Sequence, residues 1–267
     1  KSLFKILIYK NFIKLNIITS FPKSGNTWMR FIIYELLYNN KNEENDNSLN
    51  IKNKVPDLHL LLKIKNNQFV FDTEKIDDYT NIYLKTHFGY NQIKNFPLDK
   101  VIIIIRNPLD VFVSLINYYD ISKDKIDDLV DFFCVNYTLP RFKNFPNWYE
   151  HLDGWVNSNL KFGLFKYSEL LDDFDNQIIK LANFLNIKVD NTKIQMVKKN
   201  TSFEKLKKIE IFERNNKLDS FFNDDMRLVN TSFINVGKNH YYSSVLNKDQ
   251  IDKLEKSFGK AIEKYGL

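Results

Sequence analysis

The chain has 267 residues, of which 43% are hydrophobic and 27% are charged, as is typical of a globular protein that buries a core without disulfides or structural metals. The net charge is +6, but Lys and Arg form no long run, which argues against nucleic acid as a partner. No stretch approaches the roughly 18 apolar residues of a membrane span, and the single Cys134 cannot close an internal disulfide, so we expect a cytoplasmic protein.

In chain order, the spacing of apolar residues predicts alternating strands and helices. The predicted elements are strand 14–19, helix 27–38, strand 81–85, strand 101–105, helix 108–119, strand 160–167, helix 170–185 and helix 248–264. The run at 101–105 is β-branched throughout, which is typical of a strand buried on both faces. This alternation predicts one α/β domain over 1–267, with a central, mostly parallel sheet flanked by helices.

Two segments have less regular patterns. Residues 1–14 mix apolar residues with lysines, which indicates a short amphipathic helix or an extra strand. Residues 39–53 are rich in Asn, Glu and Lys, and we predict a mobile loop there.

The segment 20–28 follows the first predicted strand and opens the first predicted helix. Free N–H groups and the helix dipole favour an anion at such a position. Gly25 and Thr27 match the second glycine and the hydroxyl residue of a P-loop, but Asn26 stands where the P-loop lysine belongs. A lysine is present three residues earlier, as Lys23. The segment therefore predicts a phosphate-binding loop that is poorly suited to an ATPase.

A second anion site is predicted at Arg106, directly after the buried strand. Ligands bind at the carboxyl ends of strands in open α/β sheets, and the planar guanidinium suits phosphate oxygens. Ser114 lies about two helical turns further on, where its hydroxyl can meet the same anion. An alternative is that Arg106 ends the strand and pairs with Asp110. The net positive charge likewise fits either an anionic ligand or a composition rich in Lys and Asn throughout.

Three segments resemble the cytosolic-type family of PAPS-dependent sulfotransferases, where PAPS is 3′-phosphoadenosine-5′-phosphosulfate. The sequence Phe-Pro-Lys-Ser-Gly-Asn-Thr-Trp at 21–28 resembles the loop that binds the 5′-phosphosulfate. The sequence Arg-Asn-Pro-Leu-Asp-Val-Phe-Val-Ser at 106–114 resembles the 3′-phosphate motif, and Lys-Thr-His at 85–87 resembles the corner that holds the general base. The resemblance implies a P-loop-NTPase-like fold and sulfuryl transfer from PAPS to a small acceptor with a hydroxyl or amine. It further implies PAP (adenosine 3′,5′-bisphosphate) as product, with no metal.

The resemblance also implies roles for individual residues. His87 is the expected general base, because a neutral imidazole can take a proton near pH 7. Lys23, and after it Lys85, are candidates to stabilise the charge that develops on the leaving oxygen. The expected cofactor-binding residues are Lys23, Ser24, Gly25, Asn26 and Thr27 at the 5′-phosphate, Trp28, Tyr167, Thr201 and Phe203 near the adenine, and Arg106, Ser114, Gly237 and Lys238 at the 3′-phosphate.

The sequence departs from the family near its carboxyl end. The family's Phe-x-Arg-x-Gly pattern has its best match at 233–237, with Asn235 in place of the Arg, and Lys238 is the candidate to supply that charge. His151 lies in a segment that resembles one beside the family's acceptor pocket. His59 and His240 are interpreted as structural.

Two other functions compete with sulfuryl transfer. A P-loop kinase of small molecules would need a lysine at 26 and an acidic magnesium ligand, and neither is evident. A non-catalytic nucleotide-binding protein is the second alternative, although it would not need the intact Lys23 and His87. The segments 39–54 and 209–230 are expected to border the acceptor pocket, but they match no specificity pattern. The acceptor's identity and the oligomeric state stay open.

Overall fold

The computed structural model describes residues 15–39, 49–65, 68–71, 82–142, 145–218, 222, 232–234 and 236–267. The strands in these ranges are β1 (Leu15–Thr19), β2 (Leu62–Lys65), β3 (Gln68–Phe71), β4 (Tyr83–Thr86), β5 (Leu98–Ile105) and β6 (Lys161–Lys166). Four of them form a parallel sheet in the order β4-β1-β5-β6, while β2 and β3 form a separate antiparallel pair. The predicted mostly parallel central sheet is confirmed.

The two central strands explain why the apolar runs are continuous. β1 and β5 send alternate side chains to opposite faces of the sheet, and each face is covered by its own hydrophobic cluster. Ile17 and Ile103 belong to one cluster, and Ile18 and Ile104 to the other. All four are at most 2% exposed. A strand that is buried on both faces has no polar side to alternate with, so 101–105 of β5 is a continuous apolar run, while β1 contains two buried polar residues, Asn16 and Thr19.

Helices cover both faces of this sheet. The α-helices of the described residues are α1 (Asn26–Leu37), α2 (Leu49–Lys54), α3 (Tyr90–Ile93), α4 (Pro108–Tyr118), α5 (Ile126–Asn136), α6 (Trp148–Val156), α7 (Tyr167–Asp172), α8 (Phe174–Leu185), α9 (Asn191–Asn200), α10 (Phe203–Asn215) and α11 (Lys248–Tyr265). Residues of α4, α5, α6 and α11 form one cluster, and residues of α1, α8, α9 and α10 form the other. The fold is a three-layer α/β arrangement.

The structure corrects two predictions of local structure. The predicted loop at 39–53 ends in α2, which begins at Leu49, while 40–48 lies outside the described residues. The predicted helix at 170–185 is two helices, because Asp173 adopts φ −138° and ψ 50° between α7 and α8, outside the helical region. The prediction for 1–14 also falls outside the described residues.

Candidate active site

The carboxyl ends of all four parallel strands meet at one edge of the sheet, and each delivers predicted site residues there. β1 leads into the loop that contains Lys23, β4 into His87, β5 into Arg106 and β6 into Tyr167. All four residues line one cavity of about 420 Å³. The topology therefore brings together residues that are up to 144 positions apart in the sequence.

Most of the predicted site residues line this cavity. They are Lys23, Gly25, Asn26, Thr27, Trp28, Lys85, His87, Arg106, Ser114, Tyr167, Thr201, Phe203 and Gly237. Ser24 and Lys238 are not among the lining residues: Ser24 is buried within the loop, and the side chain of Lys238 is exposed. Lys238 takes part through its backbone, because its carbonyl oxygen accepts a hydrogen bond from Arg106.

The loop after β1 is a tight turn with two residues in the left-handed region. Lys23 has φ 67° and Gly25 has φ 106°. A Cβ atom on Gly25 would lie 2.6 Å from the ring of Tyr167, so this position requires glycine on two grounds. Asn26 donates from Nδ2 to the carbonyl oxygen of Thr86 at 3.0 Å. The residue that replaces the P-loop lysine thus fastens the loop to β4, next to His87.

Two aromatic rings hold the ammonium group of Lys23. Its Nζ lies 4.1 Å from the ring centroid of Tyr118 and 4.2 Å from that of Phe233. Both distances are within the range of a cation–π interaction. Tyr118 ends α4, whereas Phe233 belongs to a segment near the other end of the chain. The cation of the loop is therefore positioned by two rings from distant parts of the chain.

His87 has the hydrogen-bond pattern of a base with a fixed tautomer. Its Nδ1 lies 2.7 Å from the backbone carbonyl oxygen of Ser20, which can only accept, so Nδ1 carries the hydrogen. Nε2 is then left with its lone pair when the ring is neutral. Burial, and after it the charge of Lys85, holds the pKa of His87 well below its ordinary value of 6.5. The imidazole is consequently neutral and able to accept a proton at pH 7.

Lys85 has a partner that the sequence did not reveal. Its Nζ lies 2.5 Å from Oδ2 of Asp57, and Oδ1 of the same carboxylate lies 2.6 Å from Nδ1 of His59. Although burial alone would raise the pKa of Asp57, the charge of Lys85 and the hydrogen bond from His59 hold it far below its ordinary value. Burial also lowers the pKa of Lys85. His59, interpreted as structural from the sequence, lines the cavity together with Asp57 and Lys85.

Arg106 does not pair with Asp110. Its Nη2 donates to the carbonyl oxygen of Lys238 at 3.0 Å, and its guanidinium carbon lies 4.3 Å from the ring centroid of Tyr167. Asp110 accepts instead from two backbone N–H groups, those of His240 at 2.9 Å and Tyr242 at 3.2 Å. The alternative of a simple Arg106–Asp110 pair at the strand end is wrong. Within the described residues, Nε of Arg106 is buried without a hydrogen-bond partner.

Three of the four residues predicted near the adenine, Trp28, Tyr167 and Phe203, are aromatic, and all four line the cavity. Trp28 donates from Nε1 to the carbonyl oxygen of Thr201 at 2.9 Å, and its ring centroid lies 5.5 Å from that of Tyr167. The hydroxyl of Thr201 is used within α9, where it donates to the carbonyl oxygen of Val197. Phe203 lies so close to Gly237 that a Cβ atom there would be 2.5 Å from its ring.

His151 lies beneath the site rather than in it. The residue belongs to α6, is 2% exposed, and its Nε2 forms a 3.0 Å hydrogen bond with the hydroxyl of Thr19. Burial lowers the pKa of His151 to about 3. His151 is not among the residues that line the cavity. Its hydrogen bond with Thr19 supports the end of β1.

Neither a metal centre nor a membrane-spanning helix is found among the described residues. They contain no group of three or more His, Cys, Asp or Glu side chains arranged to hold a metal ion. None of their helices is both long enough and apolar enough to cross a membrane.

A parallel sheet with a phosphate-type loop after its first strand defines a P-loop-like α/β protein. Within this class, the family model of the sulfotransferase domain matches residues 15–266 of the chain. This chain belongs to the sulfotransferase domain family.

Curated relatives agree with this family. Cytosolic sulfotransferase 7 of Arabidopsis thaliana is 32% identical over 64% of this chain and 55% of its own length. Cytosolic sulfotransferase 1 of Danio rerio is 27% identical over 69% and 63%, and sulfotransferase 2A1 of Macaca fascicularis is 24% identical over 89% and 81%. The chain spans about half to two thirds of the length of most of the curated relatives that it matches.

Solved structures share the fold at low sequence identity. Retinol dehydratase in complex with retinol and PAP gives a TM-score of 0.67 at 18% identity, over 96% of this chain and 84% of that one. Mouse sulfotransferase SULT7A1 complexed with PAP gives 0.62 at 17% identity, over 94% and 85%. The P-loop-NTPase-like fold predicted from the sequence is confirmed.

Proposed function

We propose that this protein transfers the sulfuryl group of PAPS to a hydroxyl or amine of a small acceptor and releases PAP. The observation that carries the proposal is the convergence of three groups on one cavity: the loop with Lys23, the guanidinium of Arg106 and the neutral imidazole of His87. PAP has phosphates at its 5′ and 3′ positions, and two separate cations suit two separate phosphates. The names of the relatives support the same activity, and the cytosolic ones support a cytoplasmic location.

The residues present fit this co-substrate. The N–H groups that begin α1 and the ammonium of Lys23 would hold the 5′ end, as the N-terminus of a helix favours an anion. Arg106 would hold the 3′-phosphate, and its buried Nε, which has no partner among the described residues, supports this role. Ser114 and the backbone at Gly237 would complete that end, while Trp28, Tyr167 and Phe203 would enclose the adenine. Ser24 and Lys238 would contribute to cofactor binding through their backbone groups; the carbonyl oxygen of Lys238 accepts from Arg106.

His87 would remove the proton during transfer. The acceptor oxygen forms a bond to sulfur while the bond from sulfur to the 5′-phosphate oxygen breaks, and the acceptor's proton passes to Nε2 of His87. The fixed tautomer supports this role, since Nδ1–H is held by the Ser20 carbonyl. Charge then develops on the departing phosphate oxygen. Lys23 is the first candidate to stabilise it, because it belongs to the loop that would hold the 5′ end, and Lys85 is the second.

A binding assay separates the three candidate functions. We expect PAP to raise the melting temperature of the purified chain in the presence of EDTA, whereas ATP with magnesium should not. Stabilisation by ATP that depends on magnesium would favour the kinase. Transfer from labelled PAPS should then be measured on a panel of phenols, alcohols, amines and sugars. Binding of PAP without transfer to any class of acceptor would favour a non-catalytic protein.

A further inference from the structure

The ammonium group of Lys23 lies in a corner made by two aromatic rings. The rings of Tyr118 and Phe233 meet almost at a right angle, with an interplanar angle of 83° and 5.9 Å between their centroids. Nζ of Lys23 lies over both of them, 4.1 and 4.2 Å from the two centroids. An ammonium over one ring can still move along its face, whereas two faces at right angles restrict the movement in two directions. The position of this cation therefore depends on how both rings are held.

The two rings are held in different ways. Tyr118 is the last residue of α4, so the regular hydrogen bonds of a helix fix its main chain. Phe233 lies outside every helix and strand of the described part of the chain. Because no regular element fixes the main chain of Phe233, side chains from elsewhere have to hold it.

Two side chains of α10 hold the main chain at Phe233. Glu210, which is 1% exposed, accepts from the N–H of Phe233 at 2.5 Å and from the N–H of Ile234 at 2.8 Å, one with each carboxyl oxygen. Lys207 lies one helical turn earlier and donates to the carbonyl oxygen of Ile234 at 2.6 Å. The hydroxyl of Ser232 also donates to Glu210, at 2.9 Å. One face of α10 therefore supplies the donors and acceptors that a neighbouring strand would otherwise provide.

Glu210 stands apart from the residues that would meet the co-substrate. Neither Glu210 nor Lys207 is among the residues described as lining the cavity, whereas Phe233 and Lys23 both are lining residues or border it through their side chains. Any effect of Glu210 on the chemistry therefore has to pass through the segment that it holds. The contact of this segment with the reacting groups is the ring of Phe233 on the ammonium of Lys23.

We propose that Glu210 is a positioning residue for sulfuryl transfer, because it fixes the main chain of Phe233 and thereby the ring that holds the ammonium of Lys23. The inference rests on the proposed sulfotransferase function and extends it to a residue outside the cavity. Without the ring, the flexible four-carbon chain of Lys23 still brings a positive charge near a phosphate. It no longer holds that charge at the oxygen on which negative charge develops. The rate should therefore fall while the affinity for PAP is largely kept.

Substitutions of the ring and of its anchor test the separation of rate from affinity. Phe233→Leu removes the ring, and kcat should fall about tenfold or more because the cation is misplaced. Phe233→Tyr retains a ring and should retain most of the rate. Glu210→Gln weakens the anchor, and kcat should fall about threefold to tenfold. In all three variants the dissociation constant of PAP, measured by calorimetry, should stay within about threefold of the wild-type value.

The double variant shows whether Glu210 acts through Phe233. If it does, Glu210→Gln should lower kcat no further in a chain that already carries Phe233→Leu. Phe212→Leu is the matched control, because Phe212 lies on the same helix, is 56% exposed and does not line the cavity. Stabilisation by PAP verifies that each variant folds. If Glu210→Gln is not stabilised, Lys207→Met replaces it, since Lys207 holds the same main chain from a partly exposed position.

A spectroscopic measurement follows the position of Lys23 without any transfer. In a chain labelled with ¹³C-lysine, the ring currents of Tyr118 and Phe233 should shift the ε-methylene signal of Lys23 upfield of solvated lysines. Lys23→Ala identifies this signal by its loss. The signal should move towards that of a solvated lysine in Phe233→Leu and in Glu210→Gln, and should stay in place in Phe212→Leu.

The outcomes separate this proposal from the proposed function. Losses of kcat that multiply in the double variant, an unchanged Lys23 signal in Glu210→Gln, or a loss of PAP affinity as large as the loss of rate would each overturn the positioning role. If the wild-type chain binds PAP but transfers to no acceptor, the sulfotransferase proposal fails. The link from Glu210 to Lys23 then stands if the signal moves in both variants, and falls if it moves in neither.

Discussion

Two walls of the same cavity are built in different ways. The loop at 20–28 takes its shape from its own backbone, with Lys23 and Gly25 in the left-handed region and α1 beginning directly after them, and Asn26 also ties it to β4. The described part of the segment from 232 to 242, which is 232–234 and 236–242, is held by carboxylates on distant helices. Asp110 accepts from two of its N–H groups across 130 and 132 positions, and Glu210 accepts from two others at 2.5 and 2.8 Å. The first wall is local in sequence, while the second depends on long-range anchors.

The two walls are nevertheless coupled through their cations. Lys23 belongs to the first wall, but its ammonium is held by Phe233 of the second. Arg106 donates to the carbonyl oxygens of Lys23 at 3.4 Å and of Lys238 at 3.0 Å, and so contacts both. A change that affects binding should therefore propagate across the cavity, whereas a change that affects only proton transfer should not. Substitutions can test this distinction.

The largest effect is expected for His87→Ala, which removes the proposed base next to the local wall, where its Nδ1 meets the carbonyl oxygen of Ser20. The rate of sulfuryl transfer should fall about 10²–10⁴-fold, the usual contribution of one positioned proton transfer. The affinity for PAP, measured by calorimetry, should barely change, because Nε2 faces the acceptor. A large loss of PAP affinity at a nearly normal rate would mean that His87 only supports the loop through Ser20. Lys23→Ala provides the contrast, because it should lose both rate and affinity.

Arg106→Ala should weaken PAP by about tenfold to 150-fold, which corresponds to ~1.5–3 kcal/mol for a charge-assisted hydrogen bond. Titration calorimetry measures this change directly. Lys238→Ala is the matched comparison: its exposed side chain should cost much less, because the backbone carbonyl that binds Arg106 remains. If the two variants weaken PAP equally, the side chain of Lys238 contacts the phosphate after all.

The buried, neutral His151 should make the folded protein less stable in acid. Its pKa of about 3 in the folded state lies below the ordinary value of 6.5 expected for the unfolded chain. As pH falls through 6.5, the unfolded chain takes up a proton that the folded one does not, so stability is lost progressively down to about pH 3. At pH 5 this penalty is about 2 kcal/mol. Urea unfolding of the wild type and of His151→Gln at pH 7 and pH 5 should show a smaller loss in the variant, and equal losses would contradict the buried neutral state.

Asp110→Asn tests the long-range wall with a smaller change. The amide oxygen accepts more weakly than the carboxylate from the N–H groups of His240 and Tyr242, so the segment beside Arg106 should be held less firmly. We expect PAP affinity to fall about threefold to tenfold, or ~1 kcal/mol, with little change in the transfer rate at saturating PAPS. An unchanged affinity would show that this segment keeps its place without its anchor.

The pH profile should show the smallest change within the neutral range. Because burial and Lys85 hold the pKa of His87 well below 6.5, the base is already deprotonated throughout that range. The rate at saturating substrates should therefore be flat from about pH 8 to pH 6 and should fall only in more acidic solution, as His87 takes up a proton. A fall centred at 6.5 would indicate a solvated imidazole.

The sequence predicted the local wall better than the long-range wall. β1, the loop and α1 follow one another within 23 positions, and the residues that we propose to bind the phosphate interrupt a clear apolar pattern. Arg106 was found because it ends the buried strand β5. Its contact with Lys238 and the anchoring by Asp110 join segments more than 100 positions apart, and no local pattern reports such pairing.

Other features were missed although a signal was present. Asn147 and Glu150 form a reciprocal capping box at the start of α6, and this spacing is visible in the sequence. The pairing of Asp57 with Lys85 had no comparable signal. The two residues are 28 positions apart, and parts of the segment between them, including 72–81, lie outside the described residues. A carboxylate in a short turn gives no sign in the sequence that the fold will place a buried lysine beside it.

The attachment of Asp57 to Lys85 has a consequence for how this family can diversify. β4 is the edge strand of the sheet, and the turn that contains Asp57 and His59 joins it through one isolated bridge. The loop that we propose to hold the co-substrate follows a central strand, and any side chain at Gly25 in this loop would collide with the ring of Tyr167. By comparison, the turn that contains Asp57 and His59 is less constrained by the sheet. Sequences with this fold could therefore exchange the turn without disturbing the loop that contains Lys23.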